Sequence, residues 1–307
     1  MEKIKNVNPR CCRKCLRLSL QANQMILFAK LVNPGYDFYK RMNIKEGMPV
    51  PHDYVAQRIV TDMINDGFYI DFVETLIKIE NHGYMGRRYK LWGLNDVVNS
   101  LVKEGFNFDE ISGQFFENAK ERISPNWGRL HDGDERKMTL LRIDIAENSA
   151  LVKNNPRSKV EKAYGELRKI VSLAVISRNG RLWAWEGDGA LAAFMFGSIE
   201  KMAVYAGIEI LHELFFYNRL YNPLGSPINI RLGAYIGQTK YCDNELDRLK
   251  NDTVKQAVNL EAIAPKNGFC ISFSLYAPMG AEAQALFSTE KTGRSGKYGV
   301  YTLELEK

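Results

Sequence analysis

Histidine and cysteine are scarce in this 307-residue chain, with four of the first and five of the second. The histidines (His52, His82, His131 and His212) are scattered along it. The cysteines are Cys11, Cys12, Cys15, Cys242 and Cys270, an odd set that excludes a closed disulfide framework. Cys12-Arg-Lys-Cys15 has half of a zinc-ligand spacing, but there is no second CxxC, so a structural zinc is not expected. Long apolar runs are also missing. The longest, GALAAFMFGSI at 189–199, stops at Glu200, well short of the ~20 residues of a membrane helix. The opening MEKIKNVNPR lacks the apolar core of a secretory signal, so a cytoplasmic location is expected. The chain contains no internal repeat or low-complexity tract.

What is present is ordinary globular composition, 45% hydrophobic and 25% charged, in a chain long enough for two domains. The net charge of +6 is uneven. Residues 1–50 hold ten Lys/Arg against Glu2, Asp37 and Glu46, which leaves the remainder at −1. The body of the chain therefore carries no nucleic-acid signature, and no nucleic-acid partner is expected of it. The basic N-terminal segment reads as a solvated basic face; nucleic acid, an acidic partner or a second subunit are its alternative contacts.

Apolar spacing of three and four predicts helices at 55–64, 72–79 and 94–105, followed by 108–123, so residues 1–130 are expected to form a helical N-terminal domain used in sensing, packing or dimerisation. Pro, Gly and charge gather at 124–137, as in a linker. A second domain is expected over 138–307. There the pattern predicts a strand at 138–146, a helix at 160–176 and a hairpin of 181–186 with 190–194 turning on Gly187-Asp188-Gly189. A helix at 199–216, a strand at 228–236, a helix at 253–264, a strand at 269–274, a short helix near 277–286 and a strand at 299–306 follow. This order suggests an α+β mixed sheet on a ferredoxin-like core with flanking helices.

Two acids stand out by position. Asp144 lies near the end of an otherwise apolar strand, and Asp188 at the tip of the hairpin. A carboxylate in such a strand is costly unless paired or bound to metal. Two on adjacent strand ends suit divalent ions and the phosphate oxygens those ions clamp. The plainer reading is that Asp188 caps a turn and Asp144 pairs with Arg142 or another base.

The blocks LLRIDIAENSALV, EGDGALAAF, INIRLGAYIG, DTVKQAVNLEAIA and FCISFS, in that order, resemble the class III nucleotide cyclase domain over roughly residues 138–307. Within that family the chain is most similar to the bacterial pyrimidine cyclases of antiphage Pycsar systems. The resemblance implies a class III cyclase fold with two Mn²⁺ or Mg²⁺ per site on Asp144, Asp188 and the Ile145 backbone. It further implies a triphosphate on the main chain of Ile145, Ala146 and the loop to Ser149, where strand-to-helix N–H groups favour anions. Lys297 lies near the family's phosphate-steadying lysine, with Lys291 and Arg294 as rivals.

The chain departs from the family where the base is read. Ala184 replaces the Lys or Glu of purine cyclases, Trp183 and Trp185 flank it, and Arg248 falls near the other base-contacting position. Lys255 and Asn259 take the family's Asn and Arg positions on one helix face. Tyr235 stands where the family has His. The resemblance thus implies conversion of UTP to cyclic UMP, or of CTP to cyclic CMP, or an inactive nucleotide-binding module. It also implies a head-to-tail homodimer with composite sites, and a separate effector that senses the product.

Overall fold

In the computed structural model, residues 9–121, 123–292 and 296–303 are described, without the side chains of Glu186, Glu290, Lys291 and Thr292. The chain divides into two compact units, 1–123 and 124–307. The first contains helices α1 (Pro9–Ser19), α2 (Ala22–Val32), α3 (Phe38–Met42), α4 (His52–Asp66), α5 (Tyr69–His82) and α6 (Leu94–Lys103) around a core that includes Phe28, Phe72, Val73 and Leu101. The expected helix over 108–123 is instead a hairpin of β1 (Phe106–Asp109) and β2 (Gln114–Glu117). Asp109 turns the chain by accepting bonds from Ser112, and Gly113 takes the left-handed conformation. That turn chemistry overrides the helical spacing of the apolar residues. No helix among the described residues is long and apolar enough to cross a membrane.

The second unit starts earlier than expected. Trp127, in the segment read as a linker, is fully buried and donates its indole N–H to the Asn179 carbonyl at 2.7 Å. Its elements are β3 (Glu135–Ile145), α7 (Asn148–Asn154), α8 (Arg157–Ile176), β4 (Arg181–Glu186), β5 (Gly189–Phe194), α9 (Ile199–Leu220), β6 (Ile230–Lys240), α10 (Glu245–Arg248), α11 (Asp252–Ile263), β7 (Gly268–Ser272), α12 (Phe273–Tyr276), α13 (Ala281–Gln284), β8 (Ser288–Thr292) and β9 (Gly296–Thr302). They form the expected α+β architecture, a mixed seven-stranded sheet of order β4-β5-β3-β6-β7-β9-β8. Its first four strands have the βαββαβ order of a ferredoxin-like core.

Alternation along the strands assigns the two faces. Leu141, Ile143, Ile145, Ile230, Leu232 and Ala234 join the core formed with α8 and α9. Asp144 and Arg142 on β3, and Arg231, Gly233, Tyr235 and Gly237 on β6, fall on the other face, where α11 packs. The two glycines explain how close α11 can come: a Cβ at Gly233 would lie 2.2 Å from the Glu261 nitrogen, and one at Gly237 would lie 2.7 Å from Thr253 Oγ1.

Candidate functional site

Asp144 and Asp188 reach the same neighbourhood by different routes. β3 pairs antiparallel with β5, ending at Ile143↔Ala190, so Asp144 follows one residue beyond the last pair and Asp188 precedes β5. Gly187 takes the positive φ of the hairpin turn. Gly189 serves differently from the turn role expected of it: a Cβ there would be 2.5 Å from Arg142 Nη2, so its bareness admits that guanidinium.

Asp144 pairs with Arg231 and not with Arg142. The two residues are cross-strand partners in the β3–β6 ladder, and Arg231 Nη2 donates to Asp144 Oδ2 at 3.0 Å. Arg231 Nε lies 3.1 Å from Glu261 Oε1 on α11, but neither atom makes an aligned hydrogen bond, so this contact is a charge pair only. Glu261 is 8% exposed on its side chain. Its burial and the Asp144 charge push its pKa above the usual carboxylate range, against the lowering fields of Arg231 and Arg142; Asp188 adds a smaller upward push. One buried carboxylate thus feels both candidate metal aspartates and both arginines. Asp188 also acts on Tyr164 of α8, whose pKa is raised first by burial and then by that charge; Tyr164 Oη bonds Asn148 at the start of α7.

Glu261 and Arg231 were not among the sequence candidates. Their signal was present, since Arg231 opposes Asp144 once β3 and β6 are paired, but the register is not written in either segment.

A divalent ion is tested by its donor set. Among the described residues no group of three or more His, Cys, Asp or Glu is placed to hold a metal. Asp144 and Asp188 together supply hard carboxylate oxygens without a closed cage. That set fits Mg²⁺ or Mn²⁺ of the kind completed by water and substrate phosphates, and does not fit a self-contained structural ion. Beside them the chain leaves β3 at Ile145, Ala146 donates its N–H to the Asn229 carbonyl at 2.8 Å, and Glu147 turns the chain at φ 59°. Ala146 N–H is therefore engaged within the fold.

The remaining candidates separate into groups. Trp183 and Arg248 meet: the guanidinium lies 5.5 Å from the Trp183 ring and 5.5 Å from that of Tyr241. Arg248 is 6% exposed, and its Nε and Nη1 have no hydrogen-bond partner. Trp183 is buried and donates to the Pro125 carbonyl. Trp185 is not with them. A bulge between Leu182 and Ala184 shifts the register, so Trp185 lies on the α8 side, half-buried under the Arg168 guanidinium at 5.2 Å. The expected pair of flanking tryptophans is thus split across the sheet.

Lys255 and Asn259 lie on the exposed face of α11, with Lys255 paired to Asp252 at 2.8 Å. Lys297 on β9 is exposed, stands 4.9 Å over the Phe273 ring and lines a cavity of about 220 Å³ with Tyr235, Gln256, Ser272 and Ser274. Arg294 and the Lys291 side chain lie outside the described residues.

No family model matches the chain, and no curated protein matches it. Solved structures do align with it. The chain is 20% identical to an adenylate/guanylate cyclase/hydrolase from Silicibacter pomeroyi, with TM-score 0.46 over 56% of this chain and all of that one. The monomeric guanylyl cyclase domain of the RhoGC fusion protein from the aquatic fungus Blastocladiella emersonii aligns at 16% identity and TM-score 0.45, over 55% of this chain and 98% of that one. The guanylate cyclase domain of RhGC from Catenaria anguillulae, in complex with GTP, aligns at 18% identity and TM-score 0.44, over 55% of this chain and 96% of that one.

Proposed function

We propose that this chain is a metal-dependent nucleotide cyclase acting on a pyrimidine triphosphate, UTP to cyclic UMP, with CTP to cyclic CMP as the alternative base. The observation that carries the reading is the convergence of Asp144 and Asp188 on one corner of the sheet, within the field of a buried Glu261 and two arginines. Asp144, Asp188 and the Ile145 carbonyl would hold the divalent ions. When bound, these neutralise phosphate charge and acidify the attacking hydroxyl. The ribose 3′ oxygen bonds to the α-phosphorus, the bond from that phosphorus to the bridging oxygen breaks, and pyrophosphate leaves; the hydroxyl proton passes to solvent.

The chain's own residues position and neutralise. Arg231 orients Asp144, and Glu261 holds the Arg231 guanidinium on its other side. Arg142, seated on Gly189, supplies a second cation beside the hairpin. Lys297 and Lys255, with Asn259, would meet the phosphates and sugar from the second protomer of a homodimer. The small, buried Ala184 offers no hydrogen bond to a purine, and the unsatisfied donors of Arg248 suit the carbonyl acceptors of uracil. By the resemblance of its sequence blocks to the pyrimidine cyclases of antiphage systems, the product signals in antiphage defence through a separate cyclic-nucleotide effector.

A nucleotide-binding module without turnover is the second reading, favoured by the engagement of Lys255 with Asp252. Incubation with UTP and Mn²⁺ separates the two. Release of cyclic UMP and pyrophosphate, lost about a hundredfold or more in Asp188→Ala, supports the enzyme. Nucleotide binding with no product supports the module.

A further inference from the structure

In the N-terminal unit, residues 83–93 read GYMGRRYKLWG, with three cations and no acid. The segment is held by hydrogen bonds and ring packing. Tyr84 and Arg87 exchange both backbone hydrogen bonds, closing a two-residue turn with Met85 at φ 48° and Gly86 at φ 74°. The Tyr84 and Tyr89 rings pack edge-on against buried Phe28, and the Leu91 N–H donates to Glu80. This anchoring pushes the other side chains outward. Met85 is 82% exposed and Trp92 is 55% exposed. Arg87 and Arg88 are exposed and have no carboxylate partner among the described residues, and Lys90 only covers the Trp92 ring at 4.1 Å.

The Trp92 N–H is tied to Ser19 Oγ at the end of α1, whose exposed stripe is Arg10, Lys14, Arg17 and Leu18. A long apolar side chain at the tip of a turn is unusual, because a non-glycine residue at positive φ is disfavoured and Asn or Gly is the ordinary choice.

We propose that this turn and the adjoining end of α1 dock on an anionic bilayer surface, with Met85 entering the headgroup layer, Trp92 at the interface, and Arg87, Arg88 and Lys90 against lipid phosphates. A nucleic acid would use the cations equally well, but it gives no reason for a methionine at the tip. The lipid surface accounts for the apolar tip and the cations together.

The test is co-sedimentation of the full chain with vesicles of mixed phosphatidylglycerol and phosphatidylcholine, against phosphatidylcholine alone. Binding to the mixture alone is expected, falling as salt rises. The double variant Arg87→Glu/Arg88→Glu should lower the bound partition by about tenfold or more. Met85→Asp should lower it several-fold, and Met85→Gly, which relaxes the backbone while removing the apolar tip, should do the same. Failure to bind the anionic vesicles, or full binding by both Met85 variants, overturns the proposal. So does capture of a single-stranded oligonucleotide with the vesicles ignored, which assigns the surface to nucleic acid.

Discussion

A methyl group at Gly233 would lie 2.3 Å from the Ala257 carbonyl oxygen as well as against the Glu261 nitrogen, both of them α11 backbone. Backbone cannot step aside as a side chain can. Gly233→Ala should therefore cost about 1–3 kcal/mol and loosen the helix that carries Glu261, read as a lower urea midpoint. Arg248 makes the opposite case. Its buried guanidinium gains two ring contacts but leaves two nitrogens unsatisfied, so Arg248→Met should leave the midpoint unchanged or raise it. Loss of UTP turnover in that stable variant would assign Arg248 to the base, and retained turnover would assign it to packing. Glu261 adds a pH signature. Its raised native pKa means that this carboxyl keeps its proton in the fold at a pH where the unfolded chain has begun to release it. Metal-free stability should fall as pH rises through that window, and Glu261→Gln should flatten the fall in midpoint-against-pH curves.

The individual elements show how far a linear pattern reaches. The GDG hairpin was legible because turn and alternation are local, and the helices at 160–176 and 199–216 because their apolar stripes are long. The Asp144–Arg231 pair was not, because the two residues are 87 positions apart, on strands whose register only folding sets. The bulge in β4 was hidden too, since RLWAWE alternates normally as text; one extra residue against β5 sends the tryptophans to opposite faces. Deletion of the two rings should therefore differ. Trp183→Ala, emptying a buried cluster with Trp127 and Tyr241, is expected to cost about 3–5 kcal/mol. Trp185→Ala, half-buried against Arg168, should cost less than half of that in the same denaturation series.

At the scale of the molecule, the units 1–123 and 124–307 each contain their own core. The proposed homodimer with composite sites carries an arithmetic expectation. Asp188→Ala and a Lys255→Ala/Lys297→Ala double variant should each be inactive alone, because each spoils both sites of a symmetric pair. Mixed in equal amounts, they should regain up to about a quarter of wild-type turnover, since half the dimers carry one intact site. No recovery after subunit exchange would place all the reacting groups within one protomer.

A two-carboxylate site that cyclises pyrimidine nucleotides should show its base preference in competition. The purified chain is given ATP, GTP, CTP and UTP together in equal amounts with Mn²⁺, and the cyclic products are separated and quantified beside Asp144→Asn and Asp188→Ala. Cyclic UMP, or cyclic CMP, is expected to dominate in the wild type and to disappear in both variants. Cyclic AMP or cyclic GMP as the main product, or a cyclic pyrimidine that survives loss of either aspartate, would contradict it.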